Sequence, residues 1–314
     1  MSQLRFDGRV AVITGGGRGL GRAYAELLGS LGAKVVVNDN GSVIKGADDP
    51  GGADEGPGQE VAGAIRANGG EAVACTASVT TPEGGRAIVQ AALDQWGRID
   101  VVIHNAGNVR YGTIRELSDE DLNAVLDVHL KGAFHVVRAA MGPMCDAGYG
   151  RVVLTSSIGG IYGNQRCVNY AMAKSGMIGL SNVIALEGEE HGVKSNVIVP
   201  AAVTRMADGL DTSQYPPMGP ELVAPMVGWL AHEACSVSGE IYAAVAGRMA
   251  EMYIGETKGA FQPAWSIDDV EARIGAIRDK TDAMQFGLHG HVDHLMYSFG
   301  VASDPSTSSE LAEF

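Results

Sequence analysis

Tyr170 and Lys174 stand four residues apart in a stretch, 169–190, that is predicted to be helical, so their side chains share one helix face. A cationic ammonium group beside a phenol lowers the pKa of that phenol from its ordinary value of about 10. Tyr170 is therefore a candidate general acid and base for interconverting an alcohol and a carbonyl. Ser157 follows a predicted strand, 151–155, at the edge where open α/β sheets bind ligands, and its hydroxyl is a candidate to hold the substrate oxygen.

A glycine-rich segment supplies a candidate nucleotide site. Residues 14–21 read Thr-Gly-Gly-Gly-Arg-Gly-Leu-Gly and open directly into a predicted helix. Glycines permit a tight turn and a close approach to a pyrophosphate, whose charge is stabilised by the positive end of the helix. A glycine pattern alone is a weak signal, but here a strand precedes it, a helix follows it and an acid stands about 20 residues further on. The predicted cofactor-binding residues of the loop are Gly15, Arg18, Gly19, Leu20 and Gly21.

The acid is Asp39, just past the second predicted strand. A carboxylate at this place accepts hydrogen bonds from the ribose hydroxyls and repels a 2′-phosphate, which favours NAD over NADP. Arg18 argues mildly the other way, because its guanidinium can pair with that phosphate. Asp39 is the better placed of the two, so the sequence predicts NAD as the cofactor.

Short apolar runs and longer helical stretches alternate along the first two thirds of the chain and must position these residues. Valine- and isoleucine-rich strands separated by helices are typical of a parallel sheet covered on both faces, the doubly wound α/β architecture. The predicted strands are 9–14, 34–38, 72–76, 101–104, 151–155, 194–199 and 241–245, and the predicted helices are 20–31, 58–68, 81–96, 118–144, 169–190 and 221–231.

Two segments interrupt this alternation. Residues 41–58 are rich in glycine, proline and acids and are predicted to be a long mobile loop. The stretch 265–297 is typical of a helical extension, and the polar, serine-rich end of the chain is predicted to be disordered. The sequence thus predicts a dinucleotide-binding domain over 1–260, a helical C-terminal extension over 261–302 and a disordered tail over 303–314.

Composition excludes several classes of partner. The chain has 314 residues, and 23 Lys and Arg against 37 Asp and Glu give a net charge of −14. Such an acidic chain is not expected to bind a nucleic-acid backbone or an anionic membrane surface. No apolar run reaches the roughly 18 residues that a spanning helix needs, and residues 1–7 lack the pattern of a signal peptide. Four scattered cysteines indicate reduced thiols, so a cytoplasmic protein without membrane insertion or a metal site is predicted.

Taken together, these motifs resemble those of the short-chain dehydrogenase/reductase family over roughly residues 5–255. The resemblance implies one Rossmann-type domain with about seven parallel strands and a homodimer or homotetramer formed through two long helices. It also implies that Lys174 contacts the nicotinamide ribose and Thr204 the nicotinamide carboxamide, with further cofactor contacts from Ser78, Val79, Asn105, Ala106 and Gly107. The matching residues are Thr14 to Gly21, Asn105 to Gly107, Ser157, and Tyr170 to Lys174.

His129 departs from the family pattern, which has an asparagine at this place on the central helix. An imidazole also passes protons near neutral pH, so His129 is a candidate member of a proton relay with Lys174. The alternative is a histidine that is packed in the helix interface and has no part in the reaction. The stretches around His129, Ile161 to Asn164 and Tyr215 to Glu233 narrow the resemblance to members that oxidise (3R)-hydroxyacyl-CoAs or 17β-hydroxysteroids with NAD.

Three functions stay open. The leading one is an NAD-dependent dehydrogenase that interconverts a secondary alcohol and a ketone, with an acyl-CoA or a steroid as substrate. The second is an NADPH-dependent 3-oxoacyl reductase, which Asp39 opposes, and the third is a non-catalytic nucleotide-sensing protein, which the intact Ser157, Tyr170 and Lys174 set opposes.

Features outside these motifs bear on the substrate and on metal binding. CoA is polyanionic and requires local cations in so acidic a chain, for which Arg110, Arg166 and Arg205 are candidates. A steroid requires no such cluster. The spacing of three histidines in the C-terminal extension is irregular, and no metal site is predicted for His289, His291 and His294.

Overall fold

The computed structural model describes residues 4–42, 56–203 and 216–303. The chain divides into two compact units, the first ending at Glu251 and the second beginning at Met252. The boundary predicted from the sequence lies further along the chain, between residues 260 and 261. Within the second unit, two short strands pair antiparallel beside two helices, so the extension is not purely helical.

Near-continuous runs of valine, isoleucine and alanine form the central sheet of the first unit, because strands covered by helices on both faces bury every side chain. The sheet order is β3-β2-β1-β4-β5-β6-β7-β8. The strands are β1 (Val10–Thr14), β2 (Lys34–Asn38), β3 (Glu71–Cys75), β4 (Val101–His104), β5 (Gly150–Thr155), β6 (Val193–Ala201), β7 (Ile241–Val245) and β8 (Arg248–Met252).

The first seven strands are parallel, which confirms the predicted doubly wound α/β fold. The eighth strand follows β7 after Ala246 and Gly247, both of which have positive φ. A two-residue connection joins only antiparallel strands, so β8 closes the sheet as a hairpin that the sequence pattern did not indicate.

Helices cover both faces of the sheet. Side chains cap several of them, since the hydroxyls of Thr81, Ser118 and Ser157 accept a backbone N–H of the first turn. The helices of the first unit are α1 (Gly19–Ser30), α2 (Gly56–Ala67), α3 (Pro82–Trp96), α4 (Asp119–Leu126), α5 (Gly132–Asp146), α6 (Ile158–Tyr162), α7 (Val168–Gly188) and α8 (Ala224–Ala231).

The predicted long helix 118–144 is interrupted. Residues Asp127–Lys131 form a π-turn between α4 and α5, and His129 stands in the middle of this turn. A single π-turn inside a helix is rare and is often found at functional sites. The apolar periodicity of the sequence continues through it, so the pattern gave no sign of the break.

The second unit contains β9 (Gly255–Glu256), α9 (Ile267–Ile277), β10 (Met284–Gln285) and α10 (Gly290–Ser303). Ser266 and Asp269 form a capping box at the start of α9. Among the residues that the structure describes, neither helix of this unit buries a side chain. The predicted disordered tail lies almost wholly outside the described residues, as do residues 43–55 of the predicted mobile loop.

Candidate active site

A cleft of about 490 Å³ opens at the carboxyl edge of the sheet. The chain order reverses between β1 and β4, and open α/β sheets bind ligands at such a switch point. Most of the predicted site residues line this one cleft. They are Gly15, Arg18, Gly19, Leu20, Asp39, Ser78, Val79, Asn105, Ala106, Gly107, His129, Tyr170 and Lys174.

The glycine loop leaves no room for side chains. Gly15 and Gly19 have φ values of +61° and +51°, in the left-handed region that favours glycine. A Cβ on Gly21 would stand 2.1 Å from the carbonyl oxygen of Gly15, so Gly21 packs the helix onto the loop and does not itself line the cleft. No side chain caps α1 within the described residues, and its first residues, Gly19 and Leu20, line the cleft, as an anion site would require.

Asp39 is anchored by the backbone as well as lining the cleft. Its Oδ2 accepts the N–H of Gly17 at 3.0 Å, and its Oδ1 accepts the N–H of Gly41 at 2.9 Å. The carboxylate therefore holds the glycine loop against the end of β2, at the place where the sequence predicted ribose recognition. Asn40 and Ser42 line the same part of the cleft.

Thr14 joins the glycine loop to the loop that follows β4. Its Oγ1 accepts the N–H groups of Asn105 and Ala106, each at 3.1 Å. The side chain of Asn105 donates to the carbonyl of Gly15 at 3.2 Å. The two predicted cofactor segments thus form one rigid wall of the cleft. Thr204 lies outside the described residues.

Ser157, Tyr170 and Lys174 meet beside this wall. Ser157 caps α6 by accepting the N–H of Gly159 at 3.1 Å, and it also hydrogen-bonds with Tyr170. Nζ of Lys174 donates to the carbonyl of Thr155 at 2.6 Å and stands 5.6 Å from the centroid of the Tyr170 ring. The α7 helix therefore brings the phenol and the ammonium group to the cleft, and the hydroxyl of Ser157, at the start of α6, meets the phenol there without itself lining the cleft.

Burial dominates the ionisation of this group. It raises the pKa of Tyr170 above 10, although the hydrogen bond with Ser157 acts in the opposite direction. It also lowers the pKa of Lys174 to about 7. The net pKa of Tyr170 is therefore raised where the sequence predicted it to be lowered, because desolvation disfavours the charged forms of both groups.

His129 is buried beside Tyr170. The two rings form an edge contact with centroids 5.3 Å apart, and Nε2 of His129 lies 2.8 Å from the carbonyl oxygen and 3.0 Å from the nitrogen of Asn108. Burial and then the charge of Lys174 lower the pKa of His129 well below its ordinary range. The imidazole is neutral and in contact with Tyr170, while its part in a proton relay stays a prediction.

Sequence reasoning missed three polar neighbours of this group. They are Asn108, which positions His129, the carbonyl of Thr155, which receives Lys174, and the buried His104 at the end of β4. Asn108 and His104 adjoin the Asn-Ala-Gly motif, and this adjacency was the only signal available in the sequence.

The predicted cations lie next to acids. Arg110 lines the cleft with its Nε 3.5 Å from Oδ1 of Asp121, and Arg166 stands 3.9 Å from Glu116. Arg205 lies outside the described residues. A polyanion would have to compete with these carboxylates.

The histidines of the second unit do not meet in a metal cage. His294 lies 3.2 Å from Glu256, whereas the described residues contain no group of three or more side chains suited to hold a metal ion. No helix in the described ranges is long and apolar enough to cross a membrane.

Comparison with known proteins identifies the family of this chain and several of its relatives. The family model for short chain dehydrogenase matches residues 9–214. The chain is 44% identical over 269 residues to peroxisomal multifunctional enzyme type 2 of Drosophila melanogaster, covering 85% of this chain and 44% of that enzyme. The chain thus spans less than half of this relative's length. The solved full-length fly enzyme superposes with a TM-score of 0.78 at 36% identity over 94% of this chain and 50% of that chain.

Two further relatives are nearer in length. A short chain dehydrogenase of Mycobacterium avium superposes with a TM-score of 0.75 at 35% identity, covering 87% of this chain and 97% of that one. A 3-oxoacyl-[acyl-carrier-protein] reductase of Synechocystis is more distant, at 33% identity over 244 residues, which is 74% of this chain and 94% of the reductase.

Proposed function

Since this chain belongs to the short-chain dehydrogenase family of oxidoreductases, we propose that it uses NAD to interconvert a secondary alcohol and a ketone. The observation that carries the proposal is that Tyr170 and Lys174 line the same cleft as the glycine loop, with Ser157 bonded to Tyr170. The lining suits a dinucleotide, because Gly15, Gly19 and Leu20 bring the glycine loop and the uncapped start of α1 to the cleft, where a pyrophosphate would bind.

Bound NAD would supply the hydride acceptor, and the residues of the chain handle the proton and the substrate. Tyr170 takes the hydroxyl proton of the alcohol as a phenolate. Ser157 holds the oxygen as it becomes a carbonyl. Lys174 stabilises the phenolate and contacts the nicotinamide ribose, and His129 or water passes the proton outward. Orienting both reactants in one cleft supplies a large part of the acceleration.

We assign the substrate as a (3R)-hydroxyacyl-CoA, a 17β-hydroxysteroid or both. Support comes from the 44% identity to the fly multifunctional enzyme and from the name of a fungal relative, the peroxisomal hydratase-dehydrogenase-epimerase of Neurospora crassa. The carboxylates beside Arg110 and Arg166 weigh against the CoA part. Cytoplasmic localisation and a homodimer or homotetramer stay predictions, and the two named relatives are peroxisomal enzymes.

NADH formation tests the proposal directly. We expect turnover with at least one member of a matched panel of (3R)-hydroxyacyl-CoAs, 17β-hydroxysteroids and simple secondary alcohols, and less with the (3S) isomers. The Tyr170→Phe variant serves as the control for contaminating dehydrogenases. Cofactor binding without turnover on the whole panel would contradict the proposal and favour a nucleotide-sensing protein.

Reduction of 3-oxoacyl groups with NADPH is the second candidate, favoured by the similarity to the Synechocystis reductase. Asp39 opposes it, because a 2′-phosphate beside this carboxylate is repelled. We expect Asp39→Ala to raise the ratio of kcat/KM with NADP to that with NAD by about tenfold, or about 1.4 kcal/mol. Asp39→Glu, which keeps the charge, is the matched control. An unchanged ratio in the alanine variant would remove Asp39 from cofactor selection.

A further inference from the structure

Asn169 is a fully buried polar side chain that the proposed reaction does not use. It stands one residue before Tyr170, in the first turn of α7. Both ends of its amide are bonded, because Oδ1 accepts the N–H of Tyr170 at 2.8 Å and Nδ2 donates to the carbonyl of Asp121 in α4 at 3.1 Å. A buried amide with a partner at each end holds both of its neighbours in a defined geometry.

The start of α7 has no side-chain cap. Cys167 occupies the cap position, and among the described residues its thiol accepts no backbone N–H of the first turn. The first N–H groups of a helix have no acceptor within the helix itself. Asn169 supplies one to Tyr170 from inside the turn. The backbone of Tyr170 is therefore held by a side chain that is itself bonded to another helix.

The other end of the amide reaches a fixed point on α4. The N–H of Asp121 donates to Oγ of Ser118, the cap of α4, at 3.1 Å. The Oδ1 of Asp121 lies 3.5 Å from Nε of Arg110, which lines the cleft. With its carbonyl bonded to Asn169, Asp121 is held through its N–H, its carboxylate and its carbonyl. The start of α7 is thus fastened to a part of α4 that does not move freely.

The two helices joined by Asn169 lead to the two rings that are in contact at the site. The α4 helix continues directly into the π-turn that contains His129, and α7 carries Tyr170. The centroids of these two rings are 5.3 Å apart. A change in the distance between α4 and α7 would displace the phenol, and a misplacement of about 1 Å can slow a reaction about 100-fold.

We propose that Asn169 is a positioning residue, which ties α7 to α4 and thereby sets the phenol of Tyr170 against Ser157 and His129. This inference rests on the proposed function, since Tyr170 is the acid and base of that reaction. Asn169 does not line the cleft, so it acts through Tyr170 and not by contact with the substrate or the cofactor. Its loss should therefore lower kcat and leave the binding of NAD unchanged.

Two leucine variants separate positioning from stability. Asn169→Leu keeps the volume of the side chain and removes both hydrogen bonds. Asn196 is the matched control, because it is buried, donates from Nδ2 to the carbonyl of Val237 at 3.1 Å and accepts the N–H of Glu240 at 3.0 Å, away from the cleft. We expect the urea midpoint to fall by a similar amount in both variants. We expect kcat per folded molecule to fall about tenfold in Asn169→Leu alone, with KM for NAD changed less than about twofold.

An aspartate at the same position separates the two hydrogen bonds. Asn169→Asp keeps an acceptor for the N–H of Tyr170 and loses the donor to Asp121 when it is ionised, at about pH 8. The helix dipole favours an acid in the first turn, so this variant should fold even where the leucine variant does not. We expect kcat to fall about tenfold here as well, because the tie to α4 is lost. Wild-type kcat in Asn169→Asp, or equal kcat in the two leucine variants, would overturn the inference.

Hydrogen exchange tests the bonds without a substrate. The amide hydrogen of Tyr170 should exchange slowly in the wild type and in Asn169→Asp, and about tenfold faster in Asn169→Leu. In Asn196→Leu its exchange should be that of the wild type. Rapid exchange of this amide in the wild type would also overturn the inference. Absence of turnover in the wild type would instead refute the proposed function, on which the exchange data do not depend.

Discussion

The two edges of the central sheet treat buried charge in opposite ways. At the amino edge, Asp100 is fully buried and accepts hydrogen bonds from the N–H of Val10 at 2.8 Å, from Arg98 at 2.6 and 2.8 Å and from Arg9 at 3.1 Å. Nearby, the guanidinium group of Arg151 donates to three backbone carbonyls, those of Gly150, Gly192 and His232. At this edge Asp100 thus has two arginine counterions, and the buried Arg151 has three hydrogen-bond acceptors.

The carboxyl edge leaves its buried bases without counterions. Lys174 donates to a single neutral carbonyl at 2.6 Å, and no carboxylate forms a salt bridge with it among the described residues. His104 and His129 share the same surroundings, and burial lowers the pKa of all three groups. Breaking a buried ion pair is costly, whereas displaced pKa values cluster at functional sites. We therefore call the amino edge around Asp100 the supporting edge, and the carboxyl edge with Ser157, Tyr170 and Lys174 the reacting edge.

The largest effect at the reacting edge is expected from Tyr170→Phe. Removing one hydroxyl should lower kcat about 10³-fold, because proton transfer to and from the substrate loses its acid and base. The Kd for NAD should change less than twofold, as measured by quenching of protein fluorescence. Tyr253→Phe, an exposed tyrosine of the second unit, is the matched control. Activity retained in Tyr170→Phe would show that Tyr170 is not the acid and base and that the reaction does not take place at this edge of the sheet.

At the supporting edge, Asp100→Asn is expected to act on stability alone. Arg9 and Arg98 would lose a buried carboxylate that both of them contact, and because both arginines are partly exposed we expect a loss of about 1–3 kcal/mol of unfolding free energy. Urea unfolding measures this loss, while kcat per folded molecule should stay unchanged. Glu233→Gln removes an exposed partner of Arg9 and should cost less than about 1 kcal/mol. A loss of kcat in Asp100→Asn would show that the two edges are coupled.

Most substitutions of buried residues lower the free energy of unfolding, but Lys174→Met should raise it while the protein loses activity. The unfolded lysine keeps its proton up to about pH 10.5, whereas the folded one loses it near 7, so the unfolded state binds more protons in this window. Wild-type stability therefore rises with pH from 7 to 10. We expect Lys174→Met to be more stable by about 2 kcal/mol at pH 7, with a gain that shrinks toward pH 10. A gain in stability that does not depend on pH would show that the buried charge of Lys174 is not its cause.

Local features of the sequence predicted one part of this molecule, and tertiary contacts determine the rest. The apolar runs that form β1 to β7 and the glycine loop carry their signal within a few residues, so the sheet and the cofactor wall followed from the pattern. The π-turn at 127–131 did not, because the pattern of 118–144 predicts one continuous helix and a single wider turn depends on tertiary contacts. The pKa of Tyr170 was predicted in the wrong direction, since the pairing with Lys174 is local in sequence whereas the burial of both groups comes from distant strands.

The smallest effect is expected from a comparison of two buried histidines, His129 and His232. Both are buried histidines whose Nε2 lies 2.8 Å from a backbone carbonyl, one at the reacting edge and one at the supporting edge. Replacing either by alanine leaves a cavity of similar size, so both variants should lose a similar unfolding free energy. If His129 assists proton transfer, only His129→Ala should lower kcat, by about threefold to tenfold, and should flatten the acid limb of the pH profile. Equal kcat in the two variants would make His129 a packed histidine, as His232 is, and would confine the reacting edge to Ser157, Tyr170 and Lys174.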